Sequence, residues 1–314
     1  MLKKTISVVV PTFNEEENIP LISERISNLF NKAKELENYN YKILFIDNYS
    51  EDSSRSLIRK LAKDDDHIQY IFNNRNFGFS KSSYYGLTQA KGDAVILLFA
   101  DMQDPPELIV DFVREWENGS KIVVGIKNRS KENGIMYFIR KCYYRFMKKI
   151  SQIDHIEQFT GFGLYDTSVI KILSEIKDPL PYLRGIVAEV GPSCTKILYQ
   201  QEKRKHGKSS FKFGNLYDIA MLGITSYSRI FMRLAVILGI LISIVSFGIA
   251  VVTFILKVMN LVEYPIGNAA ILFGVYFLGG VIIFALGILG EYIANINVRT
   301  MQHPMVTEEE RYNI

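Results

Sequence analysis

Short runs of apolar, often β-branched residues alternate with segments of helical periodicity through the first half of the chain. The runs are Ile6–Val10, Ile43–Ile46, Ala94–Phe99 and Ile122–Val124. Between the first two runs, apolar residues recur every three or four positions from Ile19 to Phe30, which predicts an amphipathic helix. Strands that are apolar on both faces and separated by helices indicate an α/β fold with a mostly parallel, Rossmann-like sheet covered on both sides.

A polar cluster directly follows each of three predicted strands, at Pro11–Glu15, Asp47–Ser50 and Asp101–Asp104. Ligands of such sheets bind beyond the carboxyl ends of the strands, so the clusters predict one binding rim. A single cluster would be an ordinary turn and helix cap, whereas three at one edge are harder to explain by folding alone. No G-x-G-x-x-G follows the first strand and no G-x-x-x-x-G-K-[ST] occurs, which argues against dinucleotide binding and nucleoside-triphosphatase activity.

Two long uncharged stretches lie in the last third of the chain, 23 residues at 234–256 and 27 residues at 264–290. About 20 apolar residues cross a bilayer, so the pair predicts a transmembrane helical hairpin. The alternative is two buried helices of a soluble core, but these rarely run so long without a charge. Phe211–Arg233 mixes aromatic residues, leucines and sparse charge, which predicts an interfacial amphipathic helix before the first span.

The composition changes along the chain in a way that predicts orientation. The 314 residues are 48% hydrophobic and 22% charged, and only three basic residues follow Leu234, so the first 233 residues carry 34 basic against 28 acidic side chains. Because basic segments stay in the cytoplasm, we expect a multi-pass protein of the inner membrane with its N-terminal part and its tail in the cytoplasm. Ile6–Val10 is too short for a signal-peptide core. Two cysteines, Cys142 and Cys194, exclude a disulfide scaffold.

Two segments are rich in basic residues and aromatics. Lys127–Lys149 holds eight basic residues, and Lys196–Lys212 holds six. Basic clusters near a span are attracted to anionic lipid by roughly 1 kcal/mol per charge, which favours a membrane-lipid partner. Nucleic acid is the other class of polyanion, but no recognised nucleic-acid-binding motif is present, so we expect no nucleic-acid partner.

Four stretches, VVVPTFNEEENI, FIDNYSEDSS, NFGFSKSSYYGLTQAKGD and LLFADMQDPPE, resemble the family 2 glycosyltransferases of GT-A fold. RKHGKSSF followed by two spans is similar to their polyprenyl-phosphate branch, which includes dolichyl-phosphate mannose synthases and, most similar in its tail, bactoprenol glucosyltransferases. The resemblance covers nearly the whole chain. It implies a GT-A domain at 1–210, an interfacial helix at 211–233, transmembrane helices at 234–256 and 264–290, and a cytoplasmic tail at 291–314.

The resemblance also implies a reaction. One hexose passes, with inversion, from a nucleotide-sugar donor to a polyprenyl (undecaprenyl) phosphate acceptor at the cytoplasmic membrane face. UDP-glucose is the first expectation for the donor, while UDP-N-acetylglucosamine, UDP-galactose and GDP-mannose remain open. The acceptor oxygen is already anionic near neutral pH, so the enzyme must supply alignment and charge stabilisation rather than a strong base. A homo-oligomer, with a tetramer as one option, is expected from relatives with paired spans.

Site residues follow from the matching motifs. Those implied to hold the nucleotide sugar are Pro11, Thr12, Asn14, Glu15, Asp47, Asn76, Lys81 and Asp101. The implied catalytic and metal-binding pair for Mg²⁺ or Mn²⁺ is Asp101 and Gln103, whose oxygens suit a hard cation that withdraws charge from a leaving diphosphate. Those implied to bind the acceptor phosphate are Arg129, Arg140, Arg204, Lys208 and Ser209. The plainer alternatives are helix caps for the polar residues and a solvated face for the basic ones.

Two departures from the family pattern leave the metal and the sugar open. The usual D-x-D-x-Q reads FADMQ here, with Phe99 in place of the first aspartate, and the usual G-D-F-x-L reads TGFGL, with Gly161 at the acidic position. They support one alternative, a catalytically silent membrane scaffold. A second alternative is a processive polysaccharide synthase, but that class usually has more spans and a Q-x-x-R-W motif, which the surroundings of the single tryptophan, Trp116, do not match.

Overall fold

The computed structural model describes residues 3–129, 156–191 and 193–202, Met221, scattered positions between 236 and 259, and residues 268–301 and 303–314. The strands are β1 Lys4–Thr12, β2 Tyr39–Asp47, β3 Ile68–Asn73, β4 Ala94–Leu97, β5 Ile122–Arg129, β6 Phe159–Asp166, β7 Thr195–Gln200 and β8 Glu308–Tyr312. They form one sheet in the order β7-β5-β6-β4-β1-β2-β3-β8. Strands β6 and β8 run antiparallel to their neighbours, and the other six share one direction.

Helices cover both faces of this sheet. They are α1 Ile19–Lys32, α2 Ser54–Asp64, α3 Phe79–Gln89, α4 Leu108–Glu117, α5 Thr167–Glu175 and α6 Leu183–Val190, with a long α7 at Asn268–Thr300 and a short 3₁₀ turn at Lys34–Leu36. One apolar cluster packs α1, α2 and α4 against one face. A second cluster packs α3, α5 and α6 against the other face. The described fold is therefore the α/β, mostly parallel arrangement that the sequence predicts.

The burial of β1 explains why the apolar run Ile6–Val10 forms a strand. Val8 and Val10 belong to the first cluster and Val9 to the second, and all three are fully buried. Successive side chains of a strand face opposite sides, so only a strand that is apolar at every position can be covered on both faces. Each such side chain contributes about 1.5–3 kcal/mol through burial. The strand and its neighbours therefore hold the polar residues that follow them in fixed positions.

Several strands have no counterpart in the sequence prediction. β3, β6, β7 and β8 are additional, and β5 continues from the predicted Val124 to Arg129. β8 has the sequence EEERY and pairs antiparallel with β3 at the edge of the sheet. An edge strand needs no apolar face, so a charged segment of this kind carries no periodic signal.

The helix α7 includes most of the second predicted span but continues ten residues beyond its predicted end at Gly290, to Thr300. Its Leu278–Thr300 part, of mean hydropathy 1.8 and with none of its most apolar window buried, is long and apolar enough to cross a membrane. It is the single such helix in the described parts of the chain. The first predicted span, 234–256, is described only at scattered positions, and the predicted interfacial helix, 211–233, lies outside the described residues except for Met221. The two-helix hairpin therefore stays a prediction.

Candidate active site

Four adjacent strands bring the predicted donor-site residues to one edge of the sheet. β4, β1, β2 and β3 are neighbours in the sheet and run parallel, so their carboxyl ends lie side by side. The residues that follow these ends are Asp101 and Gln103 after β4, Asn14 and Glu15 after β1, and Asn76 after β3, while Pro11, Thr12 and Asp47 are the last residues of β1 and β2. This is the edge at which parallel α/β sheets bind ligands.

Hydrogen bonds join the β1 and β2 ends. The backbone N–H of Asn14 donates to Ser50 Oγ at 2.8 Å, and Asn14 Oδ1 accepts from the backbone N–H of Glu51 at 2.9 Å. The backbone N–H of Glu15 donates to Ser54 Oγ at 3.0 Å. These contacts fix the Asn14–Glu15 turn to the loop after β2, so the two clusters act as one rigid rim.

Each of the three clusters contains a non-glycine residue with left-handed backbone. They are Asn14 at φ 54°, Tyr49 at φ 69° and Met102 at φ 59°. Such conformations cost on the order of 1–3 kcal/mol and persist where the surrounding structure enforces them, typically at ligand sites. Met102 is buried, and its backbone makes the sharp turn between the two residues of the proposed metal pair.

Asp47 is fully buried, and its carboxylate has several donors. The backbone N–H and the hydroxyl of Ser50 both donate to it, the former at 2.9 Å, and Arg55 Nε donates at 2.7 Å. An ionised carboxylate offers about four acceptor positions, so these contacts leave little capacity for a bound base. Asp47 therefore fixes the positions of Ser50 and Arg55 at the carboxyl end of β2. Any contact with a nucleotide would use the remaining acceptor position of its carboxylate.

The rim continues through Asn48 to the start of α3. Asn48 Nδ2 donates to Asn76 Oδ1 at 2.8 Å, and the same oxygen accepts from the N–H of Gly78, the residue before α3. Lys81 lies in the first turn of α3 and is half-buried. Burial first, and the neighbouring charge of Arg75 second, lower the pKa of Lys81. A helix amino end with two cations beside it favours a bound anion such as a diphosphate.

The turn after β4 carries Asp101 and Gln103, the two residues predicted to ligate a divalent cation through their side-chain oxygens. Asp101 Oδ1 accepts from the N–H of Gln103 at 3.2 Å, and Gln103 Oε1 accepts from Gln201 Nε2 at 3.1 Å. No cluster of three or more acidic, histidine or cysteine side chains suited to a metal occurs among the described residues. One carboxylate and one amide nevertheless fit Mg²⁺ or Mn²⁺, because such an ion keeps several waters and uses substrate phosphates as further ligands.

Asp104 follows this pair but is held by the core. It is 1% exposed and accepts a hydrogen bond from the Tyr199 hydroxyl. Burial raises the pKa of Asp104 to about 6, against the opposing charge of Lys127. This hydrogen bond connects the turn after β4 to β7, although β4 and β7 are not neighbours in the sheet.

The two departures from the family pattern lie next to each other. The Phe99 ring packs on that of Phe79, with centroids 5.2 Å apart. Gly161 has φ 114°, and a Cβ built on it would lie 3.6 Å from Phe99 and 3.2 Å from Leu97. An acidic side chain at position 161 would therefore be strained and would meet apolar neighbours, one of which is Phe99. Glycine at position 161 and phenylalanine at position 99 are thus sterically compatible.

The predicted acceptor residues are described only at their borders. Arg129 ends β5, where its backbone alone is described, and Arg140, Arg204, Lys208 and Ser209 lie outside the described residues. The segment that leads to Arg204 starts at the rim, because the N–H of Glu202 donates to the Gln103 carbonyl oxygen at 3.0 Å. The sequence prediction missed Arg55 and Tyr199, whose surroundings in the sequence give no sign of their distant partners. It included Asn48 in the cluster after the second strand but gave it no role of its own.

The fold and the rim define an α/β domain whose candidate ligand site lies at the carboxyl edge of its parallel strands. The family model "Glycosyl transferase family 2" matches residues 7–173. The "Bactoprenol glucosyl transferase" of Shigella phage SfV is 32% identical, with 95% of this chain and 96% of the relative covered. The "Putative glycosyltransferase CsbB" of Bacillus subtilis is 30% identical over 97% of this chain and 91% of the relative. The chain belongs to glycosyltransferase family 2 and is a glycosyltransferase with a GT-A-like domain.

Among solved structures, mannosyl-3-phosphoglycerate synthase from Rubrobacter xylanophilus is similar, with a TM-score of 0.46, 15% identity and coverage of 70% of this chain and 72% of that one.

Proposed function

We propose that this chain transfers a single hexose from a nucleotide sugar to polyprenyl phosphate at the inner leaflet of the cytoplasmic membrane. UDP-glucose is the first candidate for the donor. The observation that carries the proposal is the contact of Gln103 with Gln201 and Glu202. It joins the turn that would hold the donor diphosphate to the basic segment Lys196–Lys212, which would hold the acceptor phosphate. The name of the 32% identical phage relative, which matches over nearly the whole chain, supports the acceptor class.

In the proposed reaction, an oxygen of the lipid phosphate attacks the anomeric carbon of the sugar. The bond between that carbon and the diphosphate oxygen breaks, its electron pair leaves with the nucleoside diphosphate, and the configuration inverts. Pro11, Thr12, Asn14, Glu15, Asp47 and Asn76 form the proposed nucleoside side of the rim, with Lys81 near the diphosphate. Asp101 and Gln103 are the proposed ligands of a Mg²⁺ or Mn²⁺ ion, which would neutralise charge on the leaving group.

The acceptor phosphate is the proposed partner of Arg129, Arg140, Arg204, Lys208 and Ser209. A dianionic headgroup needs cations around it, and arginine can bind two of its oxygens at once. Because the phosphate is already ionised, these residues would align it rather than deprotonate it.

The C-terminal strand supports the proposed hairpin. β8 pairs with β3, so the segment after α7 lies on the same side of any membrane as the catalytic sheet. If α7 crosses the bilayer, the chain must cross an even number of times between Glu202 and His303. The uncharged stretch at 234–256 is the available second span, and its described apolar side chains, among them Ile240 and Ile244, are exposed by 55% and 66%.

A transfer assay with the purified full chain tests the proposal. Short-chain polyprenyl phosphate is incubated with UDP-glucose, UDP-N-acetylglucosamine, UDP-galactose or GDP-mannose, with Mg²⁺ or Mn²⁺, and the lipid product is analysed by mass spectrometry. We expect one hexose per lipid with a single preferred donor. Longer products would favour a processive synthase, and no product with any donor would favour a scaffold, the alternative that Phe99 and Gly161 support.

A further inference from the structure

Arg55 in the first turn of α2 connects the rim to the C-terminal strand. Its Nε donates to Asp47 Oδ2 at 2.7 Å, one terminal nitrogen donates to Glu309 Oε2 at 2.7 Å, and the other donates to the Asn73 carbonyl oxygen at 2.5 Å. Its guanidinium carbon also lies 5.0 Å from the centroid of the Tyr49 ring. A planar guanidinium with three separate acceptors is fixed in orientation, because every nitrogen is used.

A β-bulge directs Glu309 toward this arginine. Phe72 pairs with Glu310 and Asn73 pairs with Glu308, which leaves Glu309 as the extra residue of β8. Consecutive strand residues normally face opposite sides, but a bulge re-aims one of them. Glu309 and Glu310 can therefore both reach α2, where Glu310 forms an ion pair of 2.6 Å with Arg59, one turn beyond Arg55.

Glu309 and Glu310 pair with arginines that differ in exposure and in their other contacts. Arg55 is 14% exposed and contacts the fully buried carboxylate of Asp47. Arg59 is 42% exposed, and the second partner of Glu310 is the Tyr70 hydroxyl, away from the carboxyl end of β2. Loss of Glu309 would remove one of the three acceptors that fix the guanidinium beside Asp47. Loss of Glu310 would instead remove the acceptor of Arg59 and of the Tyr70 hydroxyl, neither of which contacts Asp47 directly.

We propose that Glu309 is a positioning residue for the nucleotide donor: from β8 it holds Arg55 against Asp47, so the strand that follows the apolar helix α7 completes the donor rim. This inference rests on the donor role proposed above for the Asp47 end of the rim. It makes donor binding depend on the last seven residues of the chain, which lie some 260 positions from Asp47 in sequence.

Two variants of the full-length protein in detergent, Glu309→Gln and Glu310→Gln, form a matched pair. Each removes the charge of one β8 carboxylate that pairs with an arginine of α2. Binding of UDP and of GDP is measured by calorimetry, and donor and acceptor KM by initial rates. We expect Glu309→Gln to weaken nucleotide binding and raise donor KM about fivefold, the factor that corresponds to losing one ion pair of about 1 kcal/mol. Acceptor KM should not change, and Glu310→Gln should stay within about twofold of wild type.

A double-mutant cycle with Arg55→Gln separates positioning from a general loss of stability. If Glu309 acts through Arg55, Glu309→Gln has no further effect on nucleotide affinity once Arg55 is replaced. Additive effects, or equal effects of the two glutamine variants, would overturn the inference while leaving the proposed function intact. Failure of the wild-type protein to bind either nucleotide would overturn the proposed function and this inference with it.

Discussion

Replacing Asp101 with alanine separates its proposed role in catalysis from its role in folding. Its carboxylate accepts one hydrogen bond of 3.2 Å from the Gln103 N–H, and the side chain is partly exposed. Loss of one such bond costs about 1 kcal/mol of stability. Loss of the only carboxylate of the proposed metal pair should instead cost the transition state about 3–4 kcal/mol, as removal of other charge-stabilising groups does, which is a hundredfold or more in rate.

The assay measures hexose transfer to polyprenyl phosphate beside thermal unfolding of the same preparation. Asp111→Ala is the matched control, because Asp111 is an exposed carboxylate on α4 that pairs with Arg114. Asp101→Asn should in addition raise the Mn²⁺ concentration needed for half-maximal activity. A fall in rate of less than tenfold for a folded Asp101→Ala protein would show that the metal assignment is misplaced.

Two further changes test other parts of the molecule. Arg204→Ala should raise the KM for the lipid acceptor at least tenfold with little change for the donor, as expected for loss of a charge-assisted phosphate contact; a change confined to the donor would assign the basic segment to the other substrate. Asp166→Ala should lower the free energy of unfolding by about 2–4 kcal/mol, because it removes the cap of α5 and leaves the buried Trp116 N–H, 2.7 Å from the carboxylate, without its partner. Asp166 pairs with Ala94 at the start of β4, away from the rim, so donor KM of the folded variant should equal that of wild type, and an altered donor KM would contradict this placement.

The central strands were predictable because burial on two faces leaves a clear sequence signal. Val8, Val9 and Val10 are all fully buried, and a short, continuously apolar and β-branched run that ends at a turn is typical of a buried strand. The parallel pairing of β1 with β2 and β4 then places the polar clusters at one edge. That edge, and with it most of the candidate donor rim, follows from the sequence alone.

The contacts that hold the rim in place were not predictable in the same way. Arg55 stands in a polar segment, SEDSSRS, that predicts only the start of a helix, and Glu309 stands in an acidic tail. Their pairing depends on a bulge between strands more than 200 residues apart in sequence. Likewise, the Asp104–Tyr199 bond depends on the tertiary approach of β7 to the turn after β4, which no local pattern encodes.

In the proposed reaction, one rim activates a nucleotide sugar and transfers its hexose to a lipid phosphate. The most direct measurement follows the release of nucleoside diphosphate and the appearance of hexose on polyprenyl phosphate in the same reaction, with and without the lipid. We predict equal amounts of both products, each strictly dependent on the lipid acceptor. Release of nucleoside diphosphate at the same rate without the lipid, and with no sugar on it when it is present, would contradict this claim.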